Sequence, residues 1–229
     1  MNRTAAQTLA RYAEEPLGTR LHTRVRWRSC PFAAVAEAVP RSGRILEVGC
    51  GHGLFSTFLA LDSAEREVVG TDVDGDKIRA ASRAADGLTN LTFAPAAPGE
   101  LPDGTWDAIC IVDVLYLIDR DGERALLEEA ATRLRPGGVL VVKEMATEPT
   151  WKFRWMALQE KLSVQILGIT EGHDLTFATP AEIAAWMTGA GLTDVRHRAL
   201  GHGYLHPHHL VVATKPGAGA TTRRAPEPG

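Results

Sequence analysis

The chain has 229 residues, 45% hydrophobic and 23% charged, a composition that supports a packed core and excludes general disorder, at a length suited to one sizeable α/β domain. Its 25 basic and 28 acidic residues leave a formal charge of -3, so no global field gathers nucleic acid or an anionic membrane. No apolar run approaches the roughly 20 residues needed to cross a bilayer, and the opening MNRTAAQTLARYAEE has no hydrophobic signal core, so a cytoplasmic protein is expected.

Residues 1–42 read as an N-terminal helical cap, with Pro31 in the first turn of a helix that ends near Pro40. Helical spacing there aligns Arg20, Arg24 and Arg28. Such a row suits either an anionic acceptor or a solvated face with Leu21 and Val25 packed beneath. From Arg44 onward, short apolar runs alternate with stretches of helical period, the pattern of parallel strands joined by crossover helices. Strands are expected at Arg44 to Val48, Glu67 to Thr71, Leu91 to Ala94, Ala108 to Val112 and Val139 to Lys143, with helices near 53–62, 74–85 and 121–134. Pro136-Gly137-Gly138 stops the last of these helices.

An insertion at 147–179 carries Trp151, Trp155, Leu158, Leu162 and Ile166 on one helical face, the composition of a lid or of a subunit contact. After a helix near 180–190, Thr193 to Ala199 and Leu210 to Thr214 are spaced to pair as a hairpin on the edge of the sheet. Domain bounds of 43–215 follow, with a flexible tail at 216–229. Cys30, Cys50 and Cys110 are odd in number and lack CxxC spacing, so they read as reduced thiols.

The run Glu47-Val48-Gly49-Cys50-Gly51-His52-Gly53-Leu54 passes from a buried strand through three alternate glycines into a helix. Glycines let a ligand lie against the backbone at the carboxyl edge of a sheet. A dinucleotide fingerprint would read GxGxxG, whereas here the third glycine comes one residue early, and no P-loop lysine follows. A nucleoside without phosphates fits better. Asp72 follows the second strand, where a carboxylate can accept both ribose hydroxyls; the alternative is a cap for the helix beginning near Asp74.

The segments ILEVGCGHGLFS (45–56), VVGTD (68–72), WDAICIVDVLYLI (106–118) and LRPGGVLVVKE (134–144), in order and at ordinary spacing, resemble the class I S-adenosylmethionine-dependent methyltransferases. The resemblance implies a doubly wound α/β sheet of seven strands with the last antiparallel, and S-adenosylmethionine as cofactor. It places Glu47, Gly49, Cys50, Gly51 and Gly53 around the methionine and ribose, Asp72 on the ribose, and Val73 beside the adenine. Asp113 and Val114 fall near the methyl group. Many relatives carry Gly-Asp-Ala where this chain has Ala96-Ala97-Pro98, so the adenine contact is left to backbone groups or Glu100.

Methyl transfer to a hydroxyl calls for a base as well as alignment. His173, in the polar turn Thr170-Glu171-Gly172-His173-Asp174, is the expected base. His206, His208, His209, Tyr116 and Glu144 are the other choices. Pro207 interrupts the His202, His206, His208 and His209 group, and no carboxylate or thiol accompanies it, so no metal is expected. The expected activity is methylation of a small apolar or aromatic natural-product acceptor at oxygen, with a homodimer through the lid or the N-terminal helices. An N- or C-methyltransferase acting on a lipid, and a cofactor-binding partner subunit without catalysis, are the alternatives.

Overall fold

The computed structural model describes residues 3–145, 178–201, 204 and 207–217. The insertion residues Trp151, Trp155, Leu158, Leu162, Ile166 and His173, together with the tail from residue 218, lie outside the described residues. Seven strands form one sheet: β1 Gly43–Val48, β2 Arg66–Asp72, β3 Leu91–Pro95, β4 Trp106–Val112, β5 Leu134–Met145, β6 Thr193–Ala199 and β7 His208–Thr214. Their order is β3-β2-β1-β4-β5-β7-β6. β1 through β5 pair in parallel, while β7 runs antiparallel to both β5 and β6. The order reverses at β1/β4, where an open parallel sheet leaves a crevice beyond its carboxyl ends.

Two apolar layers cover the sheet. On one face Phe55, Phe58 and Leu59 of α4 (Leu54–Asp62) join Phe32 and Val35 of α3 (Phe32–Ala36) over Ile45, Val68, Ala108, Cys110 and Val141. On the other, Leu126, Leu127 and Ala130 of α6 (Arg120–Arg133) and Ile183 and Met187 of α7 (Pro180–Gly189) cover Leu46, Ile109, Ile111, Leu140 and Val142. Burial on both faces explains why β1, β4 and β5 read as continuous apolar runs.

α5 (Gly75–Ala84) starts at Asp74, whose carboxylate accepts from the Asp76 and Lys77 amides. α7 starts with a reciprocal Thr179/Glu182 capping box and Pro180 in its first turn.

Three details depart from the sequence reading. β5 begins at Leu134, earlier than Val139, because Leu134 pairs with Trp106 across an irregularity and the Gly137 amide donates to the Lys215 carbonyl at 2.8 Å. α3 stops at Ala36, short of Pro40, and the chain continues through turns closed by the Ala38 and Val39 amides. The carbonyls of Val39 and Pro40 instead accept from the buried Arg66 guanidinium at 3.1 and 2.7 Å. The third departure concerns α2 (Leu17–Ser29): Leu21 and Val25 are 61% and 57% exposed, not packed beneath the arginines. The helix turns Thr23 and Trp27 inward, the indole lying 5.1 Å from the Phe58 ring.

Candidate active site

The crevice at the carboxyl edge is built around the β1–α4 loop. Gly49, Gly51 and Gly53 adopt φ of 69°, 54° and 73°, where β-carbons are strained. Their surroundings differ. A β-carbon on Gly49 would fall 2.4 Å from Val114 Cγ2, and one on Gly53 would fall 2.3 Å from Phe93 Cζ, whereas one on Gly51 would meet nothing within 4 Å among the described residues. Gly49 and Gly53 are therefore demanded by packing, and Gly51 faces open space.

The sequence-selected cofactor residues have definite places around this loop, while His173 and His206 lie outside the described residues. Glu47 is buried on β1, and one of its oxygens accepts from both the Ser56 amide and the Ser56 hydroxyl in the first turn of α4. Burial pushes its carboxyl up to about 7 against those hydrogen bonds. The Cys50 amide donates to the Thr71 carbonyl at 2.8 Å, and its buried thiol is raised by burial. Asp72 accepts from the Gly51 amide at 2.7 Å with one oxygen and from the Asp74 amide at 2.9 Å with the other. Since Asp74 caps α5, Asp72 is left to join the glycine loop to the β2–α5 turn. Val73 beside it is 50% exposed.

Asp113 follows β4 at φ 57°, an unusual backbone for a residue with a side chain. Lys143 Nζ sits 2.6 Å from both of its carboxylate oxygens, and Arg26 Nη2 lies 2.6 Å from Oδ2. Burial opposes its charge, yet Lys143 and then Arg26 outweigh that and hold it down to about 2. Val114, packed on Gly49, gives its amide to Glu144 Oε1 at 3.0 Å, and Leu115 gives a second at 2.9 Å. Glu144 Oε2 is buried with no hydrogen bond among the described residues, and burial followed by the Asp113 charge raises this carboxyl to about 8.

Sequence reasoning missed several residues that shape the site. Tyr12, buried in the turn after α1 (Arg3–Ala10), donates its hydroxyl to the His52 carbonyl at 2.8 Å and pins the glycine loop. Arg26, outside the row of Arg20, Arg24 and Arg28, and Lys143, at the end of a strand, are the partners of Asp113. No spacing rule signals these contacts, because they join α2, β4 and β5 across the fold. The expected adenine segment closes on itself: Glu100 accepts from the Ala97 amide at 3.2 Å, and the Ala96 amide donates to the Asp72 carbonyl at 3.1 Å. Among the described residues no three His, Cys, Asp or Glu side chains converge as metal ligands, and no helix is long and apolar enough to cross a membrane. Cys30, Cys50 and Cys110 are free and buried.

These residues fit an adenosyl ligand. The space beside Gly51 admits a ligand against the backbone, each Asp72 oxygen keeps acceptor capacity for a ribose hydroxyl, and Val73 offers an apolar edge. A diphosphate would meet the Glu47 carboxylate at the start of α4 and Asp72 on the Gly51 amide, the positions an anion needs for itself. Residues 45–138 match a family model described as a methyltransferase domain.

With this domain and the relatives that follow, the chain is an S-adenosylmethionine-dependent methyltransferase similar to the class I enzymes. Among its relatives, the ubiquinone biosynthesis O-methyltransferase of Xanthomonas axonopodis pv. citri is 26% identical over 195 residues, covering 79% of this chain and 80% of that protein. The fatty-acid O-methyltransferase of Mycolicibacterium smegmatis is 30% identical over 125 residues, 52% of this chain and 44% of that one, so less than half of that relative is spanned. The magnesium protoporphyrin IX methyltransferase of Synechocystis PCC 6803, solved with bound S-adenosylhomocysteine, shares the fold at a TM-score of 0.62, with 18% identity and coverage of 92% of this methyltransferase and 93% of that chain.

Proposed function

We propose that this methyltransferase transfers its methyl group to an oxygen atom of a small apolar or aromatic acceptor. The observation that carries the reading is the pairing of open space at Gly51 with the Asp72 carboxylate 2.7 Å from the same residue's amide, a backbone cradle beside a hydroxyl acceptor. Oxygen as the accepting atom draws support from the two O-methyltransferases among the relatives.

S-adenosylmethionine, when bound, supplies a methyl already activated on a sulfonium. Gly49, Cys50, Gly51 and Gly53 are proposed to wall its methionine and ribose, with Glu47 fixing the loop from behind. Asp72 accepts the ribose hydroxyls and Val73 covers the adenine. Val114 packs on Gly49 beside the methyl position, held there by Glu144 through the Val114 and Leu115 amides. Asp113 does not serve as a base, because two cations hold its carboxyl down to about 2 and such a group takes up protons poorly at neutral pH. Alignment supplies the larger part of the acceleration.

The test is a transfer assay with methyl-labelled S-adenosylmethionine and matched pairs of acceptors, catechol against aniline and decanoate against decylamine. Label on the oxygen compounds supports the reading, and label confined to the amines contradicts it.

A further inference from the structure

We propose that Arg26, Asp113, Lys143 and His208 form an anion site that receives a carboxylate borne by the methyl acceptor. This rests on the small-molecule methyltransferase reading above and narrows its acceptors to ionised carboxylic acids.

Four elements meet here at the carboxyl edge of the sheet. α2 brings Arg26, the end of β4 brings Asp113, β5 brings Lys143, and β7 brings His208, which is paired in register with Met145. Lys143 and Arg26 share the single Asp113 carboxylate at 2.6 Å. Among the described residues Arg26 pairs with no other acidic side chain. Two cations on one carboxylate leave one positive charge over.

Glu47, which burial raises to about 7 against the pull of Arg26, offsets it only in part, and the other neighbouring groups do not neutralise it. Burial raises the Cys30 thiol, 3.9 Å from Asp113, to about 11, and burial also raises the Tyr204 phenol. Glu144, next along β5, is raised to about 8 by burial and by Asp113, so it is mostly protonated at neutral pH. Burial and the Lys143 charge bring His208 down to about 4 against the opposing pull of Asp113 and the Ser29 carbonyl, so its ring is neutral. A buried charge without a counterion is costly, and an anion brought by a ligand removes that cost.

The donors match a carboxylate. A guanidinium presents a planar fork to two oxygens, and Arg26 is where the cluster opens: its side chain is 28% exposed, against 1% for Asp113 and 0% for Lys143. His208 is 1% exposed, with its ring edge-on to Tyr204 at 5.5 Å and the Ser29 carbonyl drawing on its one N–H, so it walls the site as a neutral ring. The ligand carboxylate accounts for the surplus charge at Arg26.

The experiment titrates benzoate and decanoate, each against its own amide, into full-length protein saturated with S-adenosylhomocysteine. At least one acid should bind ten times more tightly than its amide. Arg26→Gln should abolish that preference and Arg26→Lys should restore part of it, while affinity for S-adenosylhomocysteine stays within twofold in both variants and reports that they are folded. Equal binding of acid and amide, or binding of neither acid, overturns the proposal. So does a parallel loss of S-adenosylhomocysteine affinity in Arg26→Gln, which assigns the site to the cofactor's own carboxylate. Failure of the unaltered protein to bind S-adenosylhomocysteine strikes the methyltransferase reading instead, and the acid-to-amide comparison can still be made without it.

Discussion

At the scale of single residues, the three loop glycines are alike in sequence and unlike in consequence. Gly51→Ala should cost only the left-handed backbone strain, about 1–2 kcal/mol, because its β-carbon meets nothing within 4 Å among the described residues. Yet it should weaken S-adenosylhomocysteine binding by more than tenfold, as the added carbon occupies the space proposed for the ligand. Gly53→Ala adds a steric clash with Phe93 and Ala81 to the same strain, so its thermal midpoint should fall well below that of Gly51→Ala; equal midpoints would contradict the packing argument. For Asp72→Ala, the loss of charge-assisted contacts of roughly 1.5–3 kcal/mol each should weaken S-adenosylhomocysteine by at least tenfold in calorimetric titration. The glycine loop and Asp72 were legible because their chemistry is local, carried by a loop and the end of the adjacent strand. Arg26 was not: a basic run on a helix looks the same whether its arginines are solvated or turned inward, and only the packing of α2 decides.

At the scale of elements, continuous apolar runs marked β1, β4 and β5, since parallel strands buried on both faces have a clear signature, whereas the exposed, antiparallel β6 was read from its spacing to β7. Thr193–Ala199 emerges with the bounds read from sequence, while β5 gains Leu134–Gly138 through cross-strand bonds that composition does not encode. The departure in α2 has the same root. Leu17, Leu21 and Val25 form an outward row, and an apolar row alone does not say which way a helix faces. Helix starts were more readable. Thr179-Pro180-Ala181-Glu182 spells a capping box, and Thr179→Ala should cost about 1 kcal/mol in urea unfolding without altering S-adenosylhomocysteine affinity. No change in stability would show that α7 is held by its buried face alone.

At the scale of the whole molecule, the buried carboxyls set a pH dependence with a defined sign. Glu47 and Glu144 have folded pKa values near 7 and near 8, both above the ordinary value of 4.5, so the folded state holds more protons than the unfolded one and stability falls as pH rises through that window. The lowered histidines act oppositely. His22 and His208, at about 4 when folded against 6.5 unfolded, add stability between those values and nothing above. Below about pH 4, protonation of Asp113 removes the stability its two cations give. Stability should therefore decline from pH 6.5 to 8, with a slope approaching 1.4 kcal/mol per pH unit for each proton, and Glu144→Gln should flatten the part nearest pH 8; an unchanged slope in that variant would show that Glu144 is already ionised. On the proposed function, the buried Glu47 and the half-buried Asp72 also turn the crevice away from dinucleotides, because they occupy the places a diphosphate would claim. Parallel calorimetric titration of the purified protein with S-adenosylhomocysteine and with NAD tests this most directly. Saturable one-to-one binding of S-adenosylhomocysteine with no heat from NAD is the predicted result, and binding of NAD, or no binding of S-adenosylhomocysteine, would contradict it.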